Sequence, residues 1–444
     1  MGDHRDEDKT LSRRDFLTRG SKAVGSFSIP SVIASGILAI AGKAGANDRI
    51  VTAVIGCGGM GRNHIAPDCA ALCDVDLNHL NEAAKRVTVG QPLMTKDYRH
   101  ILDRKDIDAV YIAAPDHWHG IMSVHAMQAG KHVYCEKPTA STVHEGIAMI
   151  NAARHYKRVV QIGAQGRSNN NARAAAQFVR NGEIGRVKHV EVWHEPNWPG
   201  GWGQNTEPPP HLDWNMWLGP ARWVPYNALR AHFNFRWFMD YGGGFVRDRG
   251  HHVLSIVLWA MNQDNAGPVS VEATGELHKD GMYDVPHTMS VKWEFKNPDW
   301  TLTWDQPGTR HRFPGANEEI PWGALFHGDR DTLLLSGGDG GCDTEPKAKE
   351  YSPPARGVHL PLFEGSSPDA TVRHRENFLH CIRTGERPAM PVEVGHRVIT
   401  LGNIANIAFQ LRRKLRWDPK AQRFIGDDEA NRFLSTPYRP PWRL

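Results

Sequence analysis

The chain has 444 residues, of which 40% are hydrophobic, and carries a formal net charge of +4. That length accommodates a short leader and two domains of ordinary size. The charge is small for the length and no basic block is interleaved with aromatics, so the sequence carries no nucleic-acid footprint.

Residues 1–46 read as an address rather than as fold. Ser12-Arg13-Arg14-Asp15-Phe16-Leu17 sets a twin arginine before an apolar pair. A mildly apolar stretch, Ile29 to Gly42, and a small-x-small site, Ala44-Gly45-Ala46, follow in the order of a cleavable signal. The apolar stretch is shorter than the ~20 residues of a spanning helix, and the mature chain has no other run that could span. The expectation is export by the twin-arginine route, to the periplasm or beyond. Six cysteines without close metal spacing are too few for a disulfide framework, and their redox state is left open.

Residues 47–168 read as a dinucleotide-binding domain. Ile50 to Ile55 is apolar enough for a strand buried on both faces and runs into Gly56-Cys57-Gly58-Gly59-Met60-Gly61. This is G-x-G-x-x-G in a strand–turn–helix setting: a tight turn at Gly56, close approach of backbone to a pyrophosphate at Gly58, close packing at Gly61. The motif alone is weak. Here the next strand, Cys69 to Cys73, ends in Asp74, close to the ~20-residue offset of a ribose-binding acid. A carboxylate there favours NAD over NADP, whose 2′-phosphate it repels. Pro67 leaves little room for a full first helix.

The alternation continues with helices over Leu77 to Val87 and Tyr98 to Asp103, a strand over Ala109 to Ala114, and a helix over His117 to Ala129. A strand over His132 to Cys135, a helix over Val143 to Tyr156 and a strand over Val159 to Gly163 complete it. Ligands of doubly wound sheets bind outside the carboxyl ends of strands. The candidate cofactor contacts beyond the glycine loop are therefore Asp74, Pro115, Asp116, His119, Glu136, Lys137 and Gln165. Lys137, in Glu136-Lys137-Pro138, is also a candidate for chemistry, although those three residues alone favour an ordinary surface ion pair.

Residues 169–444 read as an α+β domain with a large, open, mostly antiparallel sheet. Strand patterns fall at Val187 to His194, Val269 to Leu277, Thr288 to Phe295, Thr301 to Trp304 and Thr332 to Ser336. Helices are expected over Ala172 to Asn181, Val253 to Met261, Val372 to Thr384 and Gly395 to Leu411. The open sheet offers a surface for a homo-oligomer.

Two stretches of this domain carry chemistry. Trp193 to Trp259 holds eight of the fifteen tryptophans, and aromatic faces beside polar groups suit sugars. Arg167, Trp193, Arg236 and Trp237 are the candidate substrate contacts, together with His252, though for any single tryptophan a core role is the stronger alternative. In Gly242 to His252, Asp248 and His252 stand four apart and share a face if helical. A carboxylate that orients an imidazole makes a general base; a capping Asp beside a structural His fits the spacing equally. No metal site is expected, since there is no H-E-x-x-H or paired C-x-x-C.

The chain resembles the glucose–fructose oxidoreductase, inositol dehydrogenase and rhizopine-catabolism (Gfo/Idh/MocA) family, in its exported, twin-arginine branch. The resemblance rests on Gly56 to Gly61, Asp74, Pro115 to His119, Ala129 to Val133, Glu136-Lys137-Pro138, Leu212 to Pro220, Gly242 to His252, Trp417-Asp418-Pro419 and Asp427 to Asn431. It implies a Rossmann domain and an open-sheet domain with substrate between them. It further implies that Lys137 sits beside nicotinamide and substrate, with Asp248 and His252 as the acid–histidine pair. Where many members carry an acid three residues after that histidine, this chain has Ser255. The resulting expectation is an exported, NAD-dependent oxidoreductase of a sugar, cyclitol or glycoside. The alternative is an NAD-assisted glycoside hydrolase; relatives of that kind tend to lack the E-K-P lysine.

Overall fold

Thr52–Ile55 is buried along its whole length and forms β1 of a six-stranded sheet in the computed structural model, which describes residues 49–444. The expected signal segment lies outside those residues. The sheet continues with β2 (Ala71–Cys73), β3 (Leu93–Thr95), β4 (Ala109–Ile112), β5 (His132–Glu136) and β6 (Val160–Gly163), in the order β3-β2-β1-β4-β5-β6. Every pairing in it is parallel. Parallel strands need covered faces, which is why β1, β4 and β6 read as unbroken apolar or buried runs. The order reverses between β1 and β4, so a crevice opens where the strands diverge at their carboxyl ends.

Two expected helices begin differently. After the glycine loop there is only a single 3-10 turn, Gly61–His64, because Pro67 and the start of β2 leave no length for an α-helix. The helix expected from His117 starts at His119, after a 3-10 turn over Asp116–Trp118. The helix Val143–Tyr156 has the expected bounds, and a reciprocal capping box between Thr142 and Glu145 sets its start.

The second sheet has nine strands. They are β7 (His189–Trp193), β8 (Ser270–Leu277), β9 (Pro286–Phe295), β10 (Trp300–Gln306), β11 (Gly323–His327), β12 (Thr332–Gly337), β13 (Cys342–Glu345), β14 (Leu415–Asp418) and β15 (Arg423–Phe424). The order is β13-β12-β11-β7-β10-β9-β8-β14-β15, with β7–β10 parallel and the other pairings antiparallel. Burial alternates along β9 and β10, so one face packs on the helices Asp248–Ala260 and Val392–Leu411 while the other carries polar residues. The periodicity did not reveal β11 or β13 to β15, of which β13 to β15 are short and lack an apolar run. Among the described residues no helix is long and apolar enough to cross a membrane. All six cysteines are buried and unpaired. Burial pushes the Cys69 thiol up to about 11 and Cys57 and Cys73 further, so none of these three is a poised nucleophile.

Candidate active site

A cleft of about 430 Å³ lies at the carboxyl ends of the parallel strands, its far wall supplied by residues 216–236 of the second domain. The glycine loop forms its floor. Gly56 has φ +87°, and a Cβ there would lie 2.6 Å from the backbone of Ala113; a Cβ on Gly61 would strike the Gly56 carbonyl at 1.7 Å. Both glycines are therefore required by close packing, as the motif predicts. Over Gly59 the space is open, with nothing within 4 Å of a notional Cβ. That is the cradle a pyrophosphate needs.

Asp74 follows β2 and lines the cleft. Its Oδ2 accepts the Cys57 N–H at 2.7 Å and its Oδ1 the Asp76 N–H at 2.8 Å. The carboxylate thus braces the glycine loop, and each oxygen keeps a lone pair for a ribose hydroxyl. Pro115, Asp116 and His119, with Gly58 and Met60, also line the cleft. His119 places Nδ1 2.6 Å from the Pro138 carbonyl and Nε2 2.8 Å from the Ala114 carbonyl. Carbonyls only accept, so both ring nitrogens donate and the ring is an imidazolium. Burial opposes that charge, but Cys135, Asp116 and the Pro138 carbonyl outweigh it and raise the pKa to about 10. Asp116 is buried with one carboxylate oxygen unpartnered. Burial raises its pKa to about 6 against the opposing pull of His119 and Arg247.

Glu136 and Lys137 end β5 in the cleft wall. Glu136 is held by His64 Nε2 at 2.9 Å and by the Gln165 amide, which donates at 3.1 Å. Gln165 therefore acts behind the wall, and its side chain does not line the cleft. The Lys137 ammonium donates to Asp248 Oδ1, a short contact between side chains 12% and 8% exposed. Arg236 Nε donates to the other Asp248 oxygen at 3.1 Å, and its guanidinium lies 4.3 Å over the Phe233 ring. Burial would raise the pKa of Asp248, but the two cations dominate and hold it far below the usual carboxylate range.

The structure corrects the sequence-based account of four groups. Asp248 and His252 do share the helix Asp248–Ala260, yet both oxygens of Asp248 are taken by Lys137 and Arg236. His252 is buried outside the cleft lining with Nδ1 unpartnered, and burial, with the Lys137 charge, keeps it neutral well below its ordinary pKa. Ser255, where an acid was noted as absent, donates to the His252 carbonyl within the same helix. Arg167 is not a cleft residue: its guanidinium pairs with Asp264 at 2.7 Å and covers the Trp259 ring. Trp193 belongs to the sheet, its indole donating to the Ile320 carbonyl. Trp237 is fully buried against Phe245. Large aromatic side chains satisfy a core more often than a ligand, and these two do so here.

Other residues at the cleft lay in stretches noted in the sequence but were given no role there. His117 Nε2 and Trp118 Nε1 both donate to the Trp217 carbonyl, at 3.0 and 2.9 Å, and so lock the two domains together. Phe233, Phe235, His79 and His232 complete the wall. They converge only through tertiary contacts.

Residues 50–164 match the model of an oxidoreductase family described as an NAD-binding Rossmann fold, and residues 183–295 and 363–444 match that family's C-terminal alpha/beta domain. The levoglucosan dehydrogenase of Pseudarthrobacter phenanthrenivorans is 35% identical over 127 residues, 27% of this chain and 32% of that protein. A glycosyl hydrolase family 109 protein of Shewanella pealeana is 28% identical over 215 residues, 42% of this chain and 47% of that protein. The chain thus spans less than half the length of these curated relatives. A structure of levoglucosan dehydrogenase with NADH and levoglucosan has the same fold, with TM-score 0.58 and 19% identity over 83% of this chain and 99% of that one. The glycine cradle and Asp74 fit the cofactor that the matched domain binds, and the chain belongs to the Gfo/Idh/MocA family of NAD-binding oxidoreductases.

Proposed function

We propose that the chain is an exported NAD-dependent oxidoreductase acting on a hydroxyl carbon of a sugar, cyclitol or glycoside, with its cofactor tightly bound. The observation that carries this reading is that Lys137 and Arg236, both in the wall of the cofactor cleft, are joined behind it by Asp248. Bound NAD would supply the hydride acceptor, held by the Gly56–Met60 loop at its pyrophosphate and by Asp74 at a ribose. The protein's own groups would manage the proton. In its amine form Lys137 would take the hydroxyl proton as hydride leaves the carbon, and the ammonium so formed is held by Asp248 beside the new carbonyl oxygen. Arg236 keeps Asp248 ionised and fixes its direction. His252, neutral on the next helical turn, supports this cluster from behind.

An NADH-absorbance screen across sugars, cyclitols and glycosides tests the reading. Turnover of at least one of them, lost in Lys137→Ala, is the expected result. No response from any polyol in protein that carries its cofactor would defeat it.

The similarity to a glycosyl hydrolase family 109 protein favours a second reading, a glycoside hydrolase using transient oxidation and elimination. Continuous cleavage of one glycoside with no net NADH would select it. Net reduction by a single sugar that stops until a carbonyl acceptor is added would select the oxidoreductase, with ping-pong kinetics.

Export and the bound cofactor belong together. A protein exported after folding has no cytosolic NAD pool to draw on, so the dinucleotide must be loaded first and regenerated in place. Replacing Arg13 and Arg14 by Lys should trap full-length precursor in the cytoplasm; mature protein outside the membrane at an unchanged level would refute export. The polar face of the nine-stranded sheet is the proposed contact between subunits, and light scattering decides whether the chain is an oligomer.

A further inference from the structure

Asp76, His79 and His232 bring three potential ligand atoms within 4.8 Å of one another. Asp76 is buried, and its Oδ1 caps the helix Leu77–Ala84 by accepting the Asn78 N–H at 2.8 Å. Its Oδ2 is left to face imidazoles: His232 Nε2 at 2.9 Å and His211 Nε2 at 3.7 Å. The rings of His79 and His232 lie 4.4 Å apart between centroids. One hydrogen bond to His232 satisfies that oxygen; His79 Nδ1 faces Asp74 Oδ2 at 3.7 Å, and neither His79 nor His211 is held at hydrogen-bond distance.

The backbone builds this arrangement. Leu77 donates to the His211 carbonyl at 2.9 Å and Asp213 to the Val75 carbonyl at 3.0 Å, so the two domains are stitched together at this point. The acid is preset by its capping role, whereas the three histidine side chains are 28 to 41% exposed. A carboxylate with two imidazoles, and water or a third imidazole in the open position, is a donor set for zinc and its neighbours. Bonds of about 2.0–2.1 Å require ligand atoms roughly 3.3 Å apart, which small rotations of the exposed rings provide.

We propose that Asp76, His79 and His232 bind one divalent late-transition-metal ion of the zinc type, with His211 at its edge. The ion joins the nucleotide-binding domain to the second domain beside Asp74, away from any role in the reaction itself. His79 and His232 also line the cofactor cleft, so the ion acts as a clasp that slows escape of the dinucleotide. This consequence rests on the bound-cofactor reading, whereas the binding of the ion does not.

The test uses the purified holoprotein after chelator treatment and gel filtration. Titration with Co2+ should give the visible bands of a four-coordinate ion, and calorimetry with Zn2+ should show one site per chain. His79→Ala and His232→Ala should each weaken Zn2+ binding by at least the ~10–100-fold that loss of even an outer partner costs, while His380→Ala should not. His79 is part-exposed on a helix, so its variant carries the test should His232→Ala fail to fold. Absence of saturable binding, or binding that survives both variants, overturns the site. If the ion binds but NADH leaves at the same rate with and without it, the clasp is overturned and the site stands.

Discussion

The carboxylate of Asp248 closes on the ammonium of Lys137, 111 residues earlier in the chain, and not on the imidazole of His252 four residues later. This pairing joins the end of β5 to the start of a helix in the second domain. It holds Lys137 and Arg236, both in the cleft wall, on one acid behind that wall.

Removing the lysine should therefore remove turnover and leave the cofactor in place. Lys137→Ala is expected to lower kcat by ~10² to 10⁴ with NAD content unchanged, because general acid–base assistance has that size. Steady-state kinetics and the absorbance of the purified protein check both halves. A loss under about threefold would return Lys137 to a structural ion pair.

Asp248→Asn should be more damaging than His252→Ala. The first variant leaves two cations facing each other without their acid, and breaking a buried pair typically costs about 3–5 kcal/mol. Urea unfolding should show that loss, together with loss of activity. His252→Ala opens a hole behind the cluster and should reduce activity less. A larger kinetic effect at His252 would mean that the imidazole reaches the substrate in the working state.

Asp74→Ser should weaken the preference for NAD over NADP. The substitution removes the charge that repels a 2′-phosphate, and it also loosens the Cys57 N–H that the carboxylate holds. Comparative binding of the two cofactors to apo protein measures it. Unchanged preference would place the selectivity in other residues.

Stability should fall in mild acid. Burial lowers the pKa of His117 and His251 to about 3, of His194, His374 and His396 to about 4, and of His252 well below its ordinary value. The unfolded chain then binds more protons than the native one as pH drops below the unfolded value of 6.5. Their contribution is complete above 6.5 and is lost as pH falls towards the folded values, by about 1.4 kcal/mol per pH unit for each group. His119 has the opposite sign: its pKa is raised, so its contribution fades as pH climbs through about 10. Urea midpoints at about pH 7.5 and about pH 5.5 should differ clearly. Equal midpoints would show that these rings are hydrated in solution.

Much of the first domain was legible because its signals are local. An apolar run, G-x-G-x-x-G and an acid after the next strand report backbone geometry within about twenty residues. Gly56 and Gly61 are needed where the motif puts them, and the order β3-β2-β1-β4-β5-β6 follows from the alternation of strand and helix. Asp74, Lys137 and Asp248 were legible as candidates for the same reason, since each sits at a recognisable turn or helix start.

What the sequence could not decide is which of those residues meet. Spacing of four on a helix puts Asp248 and His252 on one face, but a carboxylate turns to the strongest charge available, and two cations from elsewhere in the chain outcompete a neutral ring. Arg167, Trp193 and Trp237 have the chemistry of sugar contacts, yet burial gives each a partner in the interior, at Asp264, at the Ile320 carbonyl and at Phe245. The cluster of Asp76, His79 and His232 spans 156 residues and has no local pattern at all. The sequence by itself determined most elements of the first domain and the cofactor loop, because those depend on neighbours along the chain. The tertiary structure alone decided the ion pairs and the wall of the cleft, because charges and buried rings choose partners by distance in space.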